Sequence, residues 1–105
     1  MAEFGVHGIM TAKPGRRAEL VELMSATVAA LGDAPGLLDY TINTVLDDPD
    51  TLWITQRWAS KDAHDTVTKT AANKAETARI MDLLAARPIS AYGEVVEHGG
   101  SQRSR

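Results

Sequence analysis

Thr51-Leu-Trp-Ile-Thr-Gln-Arg-Trp-Ala-Ser-Lys-Asp-Ala-His-Asp65 reads as a strand that runs directly into a helix. A period of two sets Leu52, Ile54, Gln56 and Trp58 on one face, and Thr51, Trp53, Thr55 and Arg57 on the other. Ser60 is a good N-cap, and Asp62 suits the positive end of the helix dipole. The strand thus carries Gln56 and Trp58 to one side, and the helix follows with His64 on its first turn. An aromatic wall, an amide and a titratable imidazole are expected to converge there.

Outward from this stretch, the remaining elements can be placed by the same rules. Glu3 to Ala12 alternates as a strand, with Phe4, Val6, Gly8, Met10 and Ala12 opposed to Glu3, Gly5, His7, Ile9 and Thr11. Gly5 and Gly8 suggest close packing against its backbone. Lys13-Pro14-Gly15 punctuates, and Leu20, Leu23, Met24, Thr27, Val28 and Leu31 then recur at helical spacing. Gly32 suits the helix C-terminus and Pro35-Gly36 forbids continuation. A second strand spans Leu37 to Leu46, with Leu38, Tyr40, Ile42, Thr44 and Leu46 on one face and Asp39, Thr41, Asn43 and Val45 on the other. Asp47-Asp48-Pro49-Asp50 turns it back into the strand at 51–58. The helix after Ser60 has a poor middle, so a kink or break is predicted near Thr70 to Asn73. Pro88 ends it, and Ile89 to Glu97 forms the last strand. Residues 99–105 have no apolar content and are expected to be a disordered tail to a single domain of residues 1–98.

The order β-α-β-β-α-β specifies a ferredoxin-like α+β fold, an antiparallel sheet with helices on one face. The other face should then be polar, yet Ile9, Val45, Trp53, Tyr92 and Val96 fall on the opposite parity. Strands apolar on both sides imply a second cover, most simply another copy of the chain. A homodimer is expected.

Composition narrows the function. The 105 residues carry a formal charge of −3, and the 11 basic residues are scattered, which argues against nucleic acid. The absence of cysteine excludes disulfides, thiolate chemistry and iron–sulfur clusters. His7, His64 and His98 have no ligand spacing, so no metal site is expected. No apolar run approaches the roughly 20 residues of a membrane helix, and no export signal is evident, so a cytoplasmic location is expected.

Several stretches taken in order resemble one family. They are Lys13-Pro14-Gly15-Arg16 with Glu19-Leu20, Pro35-Gly36 before Tyr40, Asp48-Pro49-Asp50, Trp58-Ala-Ser-Lys-Asp-Ala-His64 and Arg87-Pro88-Ile89. From about Phe4 to Val96 the chain is similar to the antibiotic biosynthesis monooxygenase domain family. The resemblance implies a dimeric α+β barrel with a pocket between sheet and helices. It also implies oxidation of aromatic phenols or quinols by molecular oxygen without metal or flavin, hence no cofactor. Where many members carry Glu this chain has Gln56, and where many carry His it has Val67. His64 stands where Phe or Tyr is common. The residues that haem-degrading relatives use near Val67 and Thr77 are absent, which counts against haem.

Under that resemblance His64 is the candidate base, since an imidazole exchanges protons near neutral pH; the bland reading is a helix-end histidine facing solvent or making one local hydrogen bond. Trp58 is a candidate wall for a planar substrate, or a packed core indole. Trp53 reads as an interface anchor. His7 is a pocket candidate or an interface histidine, and Arg79 could steady an oxyanion or be a solvated surface residue. Tyr40 and Asn43 are candidate liners on opposite sides of one strand, so at most one serves a given cavity. The expected function is a cofactor-independent monooxygenase acting on a hydroxylated aromatic, bicyclic or polycyclic (a quinol or polycyclic phenol). The alternatives are an isomerase or cyclase on an acidic C–H, and a non-catalytic dimeric ligand-binding barrel.

Overall fold

The computed structural model describes residues 2–99, so the tail expected at 99–105 lies, apart from Gly99, outside the described residues. The elements are β1 (Phe4–Thr11), α1 (Arg17–Leu31), β2 (Leu37–Thr44), β3 (Thr51–Trp58), α2 (Lys61–Thr68), α3 (Ala71–Asp82) and β4 (Ile89–Glu94). They form one four-stranded antiparallel sheet in the order β2-β3-β1-β4. This is the ferredoxin-like arrangement, with the second helix broken in two. The break has a local cause. The Thr70 side chain accepts from the backbone N–H of Asn73 and so starts a new helix, while the Asn73 amide donates to the Thr68 carbonyl and satisfies the end of the old one.

Register decides which side chains meet the helices. Phe4, Val6 and Gly8 stand opposite Trp58, Gln56 and Ile54 on β3, and opposite Glu94, Tyr92 and Ser90 on β4. Directly paired residues share a face, so Tyr92 belongs to the helix side. The parity expected from the sequence put it on the other side and is corrected by this pairing; Ile89, opposite Ile9, takes the outward place. A second correction concerns β2. The register shifts between Leu37 and Asp39, a bulge that leaves Leu38 as the extra residue, 43% exposed, and turns Leu37 inward. Beyond the bulge, Tyr40, Ile42 and Thr44 face the helices as the alternation requires.

The apolar side chains gather in two clusters. One joins Ala12, Leu20, Met24, Leu52, Ile54, Leu83 and Leu84; the other is Phe4, Val6 and Trp58, with Leu37, Ala63 and Val67 packed against it. The outward sheet face carries Ile9 (36% exposed), Ile89 (68% exposed) and the half-buried Trp53. Val96 lies beyond β4 and is fully exposed, belonging to neither face.

Gly32 follows α1 but keeps right-handed geometry (φ −51°); the left-handed residue is Gly36 (φ +88°), at the entry to β2. A Cβ at Gly36 would sit 2.6 Å from the Ala63 Cβ, so its bare backbone lets the start of α2 settle against β2. Gly36→Ala should therefore lower the free energy of unfolding by about 2–3 kcal/mol, from left-handed strain plus a rigid clash. Gly15→Ala, at φ +77° with nothing within 4 Å, should lower it by only about 1 kcal/mol. Urea denaturation of both variants checks the difference.

Candidate functional site

A cavity of about 250 Å³ lies between the two clusters. Its floor is the helix face of the sheet, including Val6, Gly8, Tyr40, Ile54, Gln56 and Trp58, with Tyr92 at one side. Its ceiling is α1 (Met24, Thr27, Leu31), α2 (His64, Val67, Thr68) and α3 (Asn73, Glu76, Thr77, Ile80, Met81). A methyl at Gly8 would come within 3.3 Å of Ile54, so the glycine keeps the floor low at that point.

His64 enters this space because Ser60 fixes where α2 begins: its hydroxyl accepts the Ala63 N–H at 3.1 Å. The imidazole side chain is only 13% exposed. It packs at 5.0 Å from the Phe4 ring, edge-on to Trp58 at 5.5 Å and to Tyr92 at 6.1 Å. Its Nδ1 lies 3.0 Å from Asp65 Oδ1. With the carboxylate ionised, Nδ1 is the protonated nitrogen of the neutral ring, and Nε2 keeps a free lone pair. Asp65 is held at a pKa of about 2, first by the hydrogen bond from Lys61 and then by that from His64. It therefore stays an acceptor at any pH near neutrality.

Trp58 is 1% exposed, and its indole N–H donates to Gln56 Oε1 at 2.8 Å. Tyr40 stands directly across from Gln56 on β2. Burial pushes the Tyr40 hydroxyl above its ordinary pKa, partly offset by a hydrogen bond with Gln56. Tyr40 is thus a neutral O–H in the cavity wall.

Of the six residues singled out from sequence, the structure brings His64, Trp58 and Tyr40 to this cavity and leaves three elsewhere. His7 is exposed on the outward sheet face, beside Thr55 and Ala91. Asn43 is on that same face, donating to Thr41 Oγ1 at 3.2 Å. Arg79 extends from α3 into solvent and donates to Glu76 Oε1 at 3.1 Å. Among the described residues no group of three His, Cys, Asp or Glu is placed to hold a metal ion, and no helix is long and apolar enough to cross a membrane.

The family model for antibiotic biosynthesis monooxygenase matches residues 4–77. The chain belongs to this family. A Chloroflexus aurantiacus J-10-fl protein, provisionally assigned as an antibiotic biosynthesis monooxygenase, is 28% identical with a TM-score of 0.80, over 94% of this chain and 98% of that one. One from Caulobacter crescentus CB15, assigned in the same provisional way, is 24% identical with a TM-score of 0.84, covering 91% and 92%. A point variant of SnoaB, a cofactor-independent oxygenase from Streptomyces nogalater, shares the fold at a TM-score of 0.84 with 15% identity, covering 93% and 97%. No curated protein matches the sequence at a significant level.

Within this antibiotic biosynthesis monooxygenase domain, Asp65, which contacts His64 from outside the cavity lining, and Tyr92, within it, were not singled out as site residues from sequence. Asp65 follows His64 directly, and a neighbour in sequence is easily passed over when helical spacing is the guide. Tyr92 depends on the β1–β4 register, which no local pattern contains. Gln56 was placed on the right face, but its link to Trp58 needs side-chain geometry.

The depressed Asp65 pKa has a direction. Its contribution to stability is fully present above the ordinary carboxylate value of 3.8 and is lost as pH falls through about 2. Asp65→Asn should flatten the acid limb of the stability curve between about pH 4 and pH 2, measured by thermal melting across that window.

Proposed function

We propose that this chain is a cofactor-independent monooxygenase that oxidises a one- or two-ring hydroxylated aromatic with molecular oxygen. Membership of the antibiotic biosynthesis monooxygenase family supports monooxygenase-like chemistry. The observation that carries the finer reading is the His64–Asp65 pair set among Phe4, Trp58 and Tyr92 at the edge of a mainly apolar cavity. Cavity size supports the ring count: a void of ~150 Å³ holds one benzene, so about 250 Å³ suits roughly two fused rings.

The chemistry follows from proton and electron bookkeeping. His64 Nε2 takes the proton of a phenol, and Asp65 stabilises the resulting imidazolium through Nδ1–H. The electron-rich phenolate gives one electron to O2, and the radical pair closes a C–O bond at the ring carbon para to the oxygen, giving a hydroperoxide. The imidazolium supplies the hydroperoxide proton; His64 then takes the proton of that carbon as the O–O bond breaks, the departing hydroxide collects it as water, and the ring becomes a quinone. Phenol plus O2 thus balances quinone plus water. Trp58 forms one wall for the ring, and Tyr40 donates its O–H to oxygen that accumulates charge. Arg79, His7 and Asn43 have no part in this scheme, because they lie outside the cavity lining.

His64→Phe keeps ring packing and removes the base. It should lower oxygen uptake on quinols and anthrones by about 100-fold or more while the protein still melts cooperatively. Wild-type uptake in that variant removes His64 from the mechanism, and turnover of the same substrates under nitrogen points to an isomerase instead.

We further propose that two copies pair through the outward sheet face, where Ile9, Ile89 and Trp53 would otherwise meet water. Sedimentation equilibrium at micromolar concentration should give twice the 11.3 kDa of one chain; a stable monomer refutes the pairing.

A further inference from the structure

The cavity has two chemically different ends. His64 stands with Phe4, Trp58 and Tyr92 at the end closed by the smaller cluster. Sulfur gathers at the other. The chain has four methionines and no cysteine, and Met10, Met24 and Met81, all but the first residue, line the cavity. Met10 packs against the larger cluster, to which Met24 belongs. On β1 it follows Val6 and Gly8 along the same floor, about 13 Å beyond Val6 at the usual strand rise. Flexible thioethers fill irregular gaps, which accounts for the buried Met24. It does not account for Met81, which is 43% exposed at the rim and belongs to neither cluster. Met10 stands between these extremes, half-buried on the cavity floor.

A phenol that presents its hydroxyl to His64 points its para carbon away from the imidazole, toward the sulfur end. The hydroperoxide of the proposed function forms on that carbon, so its outer oxygen is carried toward Met10. We propose that Met10 is a modification site, its thioether oxidised to the sulfoxide by the organic hydroperoxide formed in the cavity during turnover. The O–O bond breaks, the outer oxygen bonds to sulfur, and its hydrogen passes to the oxygen left on the ring. The thioether loses two electrons and the hydroperoxide gains them. Hydroperoxide plus thioether thus balances ring alcohol plus sulfoxide, with no further reagent. The inference rests on the proposed function for the source of the hydroperoxide. Its consequence is a self-limiting site, because a sulfoxide is polar and stands here in an apolar floor. Met81, open to solvent, meets peroxide from the bulk first and serves as the internal reference.

Peptide mass spectrometry of the full chain separates the two routes. Hydrogen peroxide should oxidise Met81 faster than Met10, following exposure. Cumene hydroperoxide, whose single ring suits the cavity, should raise the ratio of Met10 to Met81 sulfoxide about tenfold above that left by hydrogen peroxide, because the bound ring holds its oxygen beside the sulfur. In the turnover arm the chain consumes 1-naphthol under isotopically heavy O2, with catalase present to destroy free hydrogen peroxide. Met10 sulfoxide should then carry the heavy oxygen, ahead of Met81, and accumulate in step with oxygen uptake. Met10→Leu, close in volume and without sulfur, should extend the number of turnovers before activity fades by about threefold or more. An equal ratio for the two peroxides, or oxygen uptake that puts no heavy oxygen on Met10, overturns the assignment and leaves the monooxygenase reading standing. No oxygen uptake with 1-naphthol or with the quinols overturns that reading and the inference together.

Discussion

The Trp58 indole is the constraint on which the site depends. It is buried to 1% exposure, and a buried N–H must find an acceptor or cost several times what the bond returns. The acceptor it finds is Gln56, two residues earlier on the same face of β3. One bond thus orders the floor of the cavity. The ring's remaining surface serves the second cluster, where Phe4 and Val6 of β1 and Ala63 and Val67 of α2 close around it. The cavity exists because this cluster and the larger one around Leu20, Met24 and Leu52 do not merge.

A chain of short-range effects sets the imidazole in place. Gly36 leaves room for Ala63, Ser60 starts α2 at a fixed residue, and His64 follows on the first turn against Phe4, Trp58 and Tyr92. Lys61, one turn earlier, donates to Asp65 and keeps that carboxylate ionised beside the ring. The arrangement joins a dry neighbourhood for the ring to a charged partner for its proton, the two requirements of a base that works away from water.

Much of this was legible in the chain. Alternation placed Phe4, Val6, Ile54, Gln56 and Trp58 on the helix side, and the weak stretch at Thr70 to Asn73 does divide the second helix. These are local facts, set by side-chain period and capping chemistry. Tyr92 and Leu38 were misplaced for one shared reason. Parity on a strand has meaning only relative to its partner, and neither the β1–β4 register nor the bulge at Leu38 is encoded in the strand's own residues. The same limit applies to His7 and Arg79. Their chemistry suits a pocket, but one points from the far side of the sheet and the other into solvent.

The two helices over the cavity contain no fully buried residue, whereas the strands beneath hold Leu52, Ile54 and Trp58 almost entirely out of water. Detaching the α2–α3 pair sacrifices less buried apolar surface than separating β1 or β3, so it belongs with the less stable parts of the molecule. Any opening of the hollow would therefore be expected from this upper layer before β1 and β3 beneath it. The seam of that layer runs from Thr68 to Asn73, whose two end residues line the hollow, so a change there would alter both the hinge and the ceiling.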